Sequence, residues 1–156
     1  MNTLTFHLEY TWMPFKANGR HLIFREYENN GIKLKRGECS HWGAAIYKWE
    51  GIITEGENKG KTGILIGETD DIRARLNQYK SGTQKNGNKY WREHFLRKGS
   101  IGYSVLNLKK CSIDNKAKDS NQIERKIFRL VLEQLLVMEL LDHCDQYQTW
   151  VVNKMQ

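Results

Sequence analysis

The feature that most constrains this chain is a pair of short apolar segments, each with an unusual end, followed by a helix. Gly43-Ala44-Ala45-Ile46-Tyr47 runs into a tyrosine, and Leu65-Ile66-Gly67 runs into a glycine. Arg75 and Tyr79 come next, four residues apart. Ala45, Tyr47 and Trp49 share one face of a strand, and Ile46 and Lys48 share the other. Thr69 or Asp70 can cap the following helix, and Asp70 and Asp71 suit its positive end. Ile72 and Leu76 form its buried stripe, so Arg75 and Tyr79 flank the core. A phenol, a guanidinium and open backbone can therefore meet at one spot.

The rest of the pattern surrounds that unit. Leu4 to Thr11 alternates as a strand, and Arg20 to Tyr27 reads as its partner across a turn at Ala17-Asn18-Gly19. Gly51, Gly56 and Gly60 mark Glu50 to Thr62 as a loop, with room for a short strand at Ile52-Ile53. Lys89 to Arg97 is predicted helical, Ile101 to Leu108 a strand, and Ser120 to His143 a long helix; Trp150 to Val152 closes the chain as a strand or packed tail. This order predicts an α/β (α+β) fold, a small sandwich with helices covering a sheet, with an N-terminal β-rich extension over 1–40. With 156 residues, one domain over 1–156 with one core is expected.

Lys plus Arg number 25 against 18 Asp plus Glu, a formal charge of +7. That balance favours an anionic partner, nucleic acid ahead of a membrane surface. Lys80, Lys85, Lys89 and Arg92, interleaved with Tyr90 and Trp91, are candidate phosphate contacts; the alternative is a solvated charged face. Cys39, Cys111 and Cys144 are odd in number and form no CxxC pair, which points to free thiols in a reducing compartment. Cys39 with His41 and His143 with Cys144 match no zinc-module spacing. No signal peptide or membrane-length apolar run is visible, so a cytoplasmic location without membrane association is expected.

Glu124 opens the long helix, with Phe128, Val131 and Leu135 following along one stripe. A carboxylate on an apolar stripe is costly unless it is paired or bound to a cation, and a hard cation such as Mg²⁺ would remove that cost. It can equally be an N-terminal glutamate stabilising the helix dipole. Glu133 has Arg129 four residues before it as a surface partner, and Glu139 lies near the acidic helix end.

Taken in order, these residues resemble the GIY-YIG nuclease superfamily. Ala45-Ile46-Tyr47 matches the first motif with alanine for glycine, and Leu65-Ile66-Gly67 matches the second with leucine for tyrosine. Arg75 stands eight residues beyond that glycine, where the family has its arginine, and Tyr79 stands where a histidine is frequent. Glu124 matches the family's metal-binding glutamate by its place at the start of a later helix. The resemblance spans Gly43 to Leu141, which implies a nuclease-like core over 43–141. It implies a small antiparallel central sheet flanked by helices, and a DNA endonuclease hydrolysing a phosphodiester, double-stranded DNA being the expected substrate, with one Mg²⁺ or Mn²⁺. In that scheme Tyr47 positions or deprotonates the water, Arg75 stabilises charge on the phosphate, Tyr79 orients it and Glu124 holds the metal. A compact restriction-like or mobile-element enzyme is the expectation, compatible with a homodimer. Leu65 leaves room for the alternative of a non-catalytic nucleic-acid-binding module that keeps the fold.

Overall fold

In the computed structural model, which describes residues 1–82, 88–118 and 120–155, a mixed sheet lies between two layers of helix. Strand β4 (Ala45–Ile53) is central. It pairs antiparallel with β5 (Thr62–Thr69) on one side and with β6 (Gly99–Ile113) on the other. Because both faces of β4 are covered, Ala45, Ile46 and Tyr47 are all buried in succession. The turn between β4 and β5 is shorter than the sequence suggested, since Glu50 to Ile53 continue the strand.

The first forty residues are woven into this architecture. Strand β1 (Phe6–Pro14) pairs antiparallel with the outer edge of β6, with an irregularity between Glu9 and Tyr10. The expected hairpin between Leu4–Thr11 and Arg20–Tyr27 does not form. Only β2 (Lys16–Ala17) and β3 (Arg20–His21) pair there, across Asn18 and Gly19, both at positive φ. Arg20–Tyr27 then leaves the strand and enters α1 (Phe24–Asn29), because Phe24 and Tyr27 are three apart and bury one helical face. The long edge of β6 offers β1 nine paired residues, where a 20–27 strand would have matched it with a short, poorly alternating one.

One face of the sheet packs on α1, α2 (Ile72–Ser81) and α3 (Asn88–His94), around Tyr47, Trp49, Leu65, Leu76, Tyr79, Phe95 and Tyr103. Four of these rings interlock: Tyr103 lies 4.5 Å from Trp49 and 5.2 Å from Tyr47, and Tyr79 is edge-on to both Trp49 and Tyr47. The opposite face carries Ile46, Ile64, Ile66 and Leu106 against α4 (Lys126–His143). Beyond β6, β7 (Lys116–Lys118) folds back across Asp114 and Asn115; β8 (Thr149–Val151) adds a parallel strand to the outer edge of β5. No described helix is long and apolar enough to cross a membrane.

Candidate active site

Helix α2 begins as its sequence suggests, one residue later than expected. Asp71, rather than Thr69 or Asp70, is the cap: its Oδ1 accepts from the backbone N–H of Arg73 (2.9 Å) and Ala74 (3.3 Å). Gly82 ends the helix in the left-handed region. Ile72, Leu76 and Tyr79 face the core, which leaves Arg75 half-buried at the border between core and solvent.

What the border faces is decided by β5. Strand β8 pairs only with Thr62–Ile64. Asn153 then takes the place of a strand for one residue: its Nδ2 donates to the Ile66 carbonyl (2.8 Å) and its Oδ1 accepts from the Ile66 N–H (2.9 Å). Beyond it, a cleft of about 200 Å³ opens over the edge at Gly67 and Glu68. Tyr47, Arg75 and Tyr79 reach it from one side of the sheet, and Glu133 reaches it from α4 on the other. Tyr47 and Tyr79 join through their hydroxyls at 2.9 Å.

Gly67 makes this approach feasible. It stands opposite Tyr47 in the ladder, and a Cβ there would overlap the Tyr47 hydroxyl and ring. Gly67→Ala is expected to cost about 1–3 kcal/mol in a denaturant titration, because a fully packed ring has nowhere to retreat.

The charges in the cleft are unevenly met. Burial, and then Glu68, push the Glu133 carboxyl up to about 7, against the pull of Arg75. Burial opposes the charge on Arg75, yet Tyr47, Tyr79, Tyr103 and Glu68 around it hold its pKa above the usual value. The Nε of Arg75 is buried and unpaired among the described residues, as is the hydroxyl of Tyr103. Burial also raises the Tyr47 phenol, and Arg75 and Tyr79 only partly offset this. Tyr47 therefore keeps its proton at neutral pH, which argues against its acting as a base.

Tyr47, Arg75 and Tyr79 are thus brought together, and Glu124 is not with them. The segment Ser120–Glu124 is a separate 3-10 turn, α4 starts at Lys126, and Glu124 is exposed and does not line the cleft. The apolar stripe assigned to it is displaced as well: Phe128, Leu132 and Leu136 face the core, while Val131 and Leu135 are exposed. Nor does Arg129 pair with Glu133. Its side chain is 1% exposed, donates through Nε to Glu68 Oε2 (3.0 Å), meets Asp70, and donates through Nη1 to the Ile123 carbonyl (2.9 Å). Freed of that partner, Glu133 turns into the cleft.

Of the basic candidates, Arg92 is committed internally. It donates to the Lys80 carbonyl (3.0 Å) and to Glu93 (2.9 Å), and its guanidinium packs against Gly82. Lys80 lies 5.0 Å from the Tyr27 ring, Lys89 is exposed, and Lys85 lies outside the described residues. Sequence reasoning missed Glu133, Glu68 and Asn153. Glu133 borders the stripe of Phe128, Leu132 and Leu136, a signal that was present but shared with Arg129; nothing local marks Asn153.

Comparison with protein-family models, with curated proteins and with solved structures returns no match.

Proposed function

We propose that the chain is a metal-dependent DNA endonuclease whose working groups are Arg75, Tyr47, Tyr79 and Glu133, with Glu133 in the role first expected of Glu124. The observation that carries this reading is the cleft itself: a guanidinium with an orphan Nε beside a carboxyl displaced to about 7. Perturbed groups gathered in one cleft are the mark of a working site. An anionic group there satisfies Arg75. A divalent cation relieves the repulsion between Glu133 and Glu68.

The donor set suits a hard cation. No cluster of three or more His, Cys, Asp or Glu occurs among the described residues. Mg²⁺ held by one or two carboxylates, with waters and phosphate oxygens completing its shell, needs no such cluster. When bound, it polarises the phosphoryl group and supports the leaving oxygen. Arg75 offers a forked contact to the phosphate as charge grows on it. The Tyr47–Tyr79 pair holds a hydroxyl at the edge of β5 to orient water or phosphate. Lys80 and Lys89 remain available for backbone phosphates, and the +7 charge favours encounter with DNA.

The second reading, a nucleic-acid-binding module without catalysis, draws on Leu65. Its side chain is buried among the aromatic residues, so the second motif offers no phenol. Supercoiled plasmid incubated with Mg²⁺, and in parallel with EDTA, separates the two. Metal-dependent nicking lost in Arg75→Ala supports the enzyme. Salt-sensitive binding with intact plasmid supports the module.

Glu133 also makes a prediction that needs no substrate. Its pKa is raised in the folded state, so its neutral form is favoured there. That contribution is fully present below the ordinary carboxylate pKa near 4.5 and is lost as pH rises through about 7. Glu133→Gln is therefore expected to stabilise the metal-free protein at pH 8–9 by about 1–2 kcal/mol, after allowance for partial solvent screening, with no gain near pH 4. Added Mg²⁺ should raise the unfolding midpoint of the wild type at pH 8 and leave that of Glu133→Gln unchanged.

A further inference from the structure

Helix α4 buries Phe128, Leu132 and Leu136, yet its outward face is also apolar. Ile127 is 68% exposed and Met138 60%, with Leu130 and Val131 between them also exposed. Together with Leu141 they line one side of the helix at spacings of three and four, interrupted only by Gln134. An uncovered stripe along a whole helix marks an interaction surface.

We propose that this face docks a second copy of the same chain, the two α4 helices running antiparallel about a two-fold axis at Gln134. The stripe is self-complementary about that residue. Ile127 stands seven positions before Gln134 and Leu141 seven after; Leu130 stands four before and Met138 four after. The flanking charges obey the same symmetry. Lys126 lies eight positions before and Asp142 eight after, both exposed, so each lysine meets the partner's aspartate. A parallel pairing would set lysine against lysine and aspartate against aspartate. At the axis the two Gln134 amides face each other and can exchange hydrogen bonds. A two-fold contact requires such a patch to match itself.

Other occupants fit less well. Lys126 and Asp142 flank the stripe with one charge of each sign, whereas a helix lying on an anionic bilayer carries several basic residues there. The 18-residue helix spans about 27 Å. A seam of that length buries on the order of 1,000 Å² in total, at the low end for specific interfaces, which suits a reversible dimer with Kd in the micromolar range. This interface does not depend on the nuclease reading.

Sedimentation equilibrium tests it. The wild type should pass from 18.4 kDa to twice that mass as its concentration rises to about 100 μM. Met138→Asp, at an exposed position that leaves the core untouched, should stay at 18.4 kDa with an unchanged circular dichroism spectrum. Asp142→Lys should weaken association up to about 5-fold, and the double variant Lys126→Asp/Asp142→Lys should restore it. A wild type that remains at 18.4 kDa throughout, a dimer that survives Met138→Asp, or a monomer that instead floats with neutral phosphatidylcholine vesicles overturns the proposal.

Discussion

Glu133→Gln is expected to lower Mg²⁺-dependent plasmid cleavage by about 10²–10³-fold, while Glu124→Ala leaves the rate within about twofold of wild type. Both acids belong to the α4 region, and only one of them lines the cleft. Glu133 lines the cleft with Arg75, Tyr47 and Tyr79, and its carboxyl is held near 7 by burial and Glu68. Glu124 sits in the exposed turn before the helix. Glutamine keeps the volume of Glu133 and removes only its charge, so the loss reads the electrostatic role. Initial rates of supercoil relaxation at saturating Mg²⁺ decide the matter. Equal losses at both positions would detach the chemistry from the cleft and undo the assignment. Cleavage unaffected by Glu133→Gln would do the same.

The second large effect concerns folding. Arg129→Met should cost about 3–4 kcal/mol, read as a drop of about 10 °C in the thermal midpoint. Arg129 is the one fully buried charge among the described residues, and it binds three acceptors at once: Glu68, Asp70 and the Ile123 carbonyl. Asp70 is exposed and contributes little. Glu68 has a side chain only 13% exposed, and without Arg129 it would stand uncompensated beside Glu133. The cost therefore comes mostly from a stranded carboxylate. Arg129→Met/Glu68→Gln should recover most of the loss, since removing both members of a buried pair is far milder than removing one. A single variant as stable as wild type would show that solvent reaches Glu68 freely.

These two residues also show where sequence reasoning stops. Arg129 and Glu133 are four apart on a helix, and that spacing reads naturally as a surface ion pair. The pair does not form; β5 presents Glu68 to the arginine instead, with its side chain only 13% exposed. Which of two possible partners an arginine takes depends on a strand some sixty positions away in the chain, as the 61-residue separation of Arg129 and Glu68 illustrates. The N-terminal strand taught the same thing. Its alternation was legible, while its partner was not, because pairing is set by whichever edge offers the longest register.

By itself the sequence determined the local elements and the side-chain faces. The alternation of Ala45, Tyr47 and Trp49, the buried helix spacing of Ile72 and Leu76, and the turn at Asn18-Gly19 follow from short-range periodicity and backbone sterics, and they appear in the structure as read, whereas Tyr79, expected at the border beside Arg75, is buried in the core. Only the tertiary structure decided which acid shares a cleft with Arg75, that Asn153 clamps the edge of β5, and that Arg92 is consumed as an internal contact. Those outcomes depend on how elements distant in sequence compete for the same few hydrogen-bonding groups, and periodicity along one segment holds no information about its rivals.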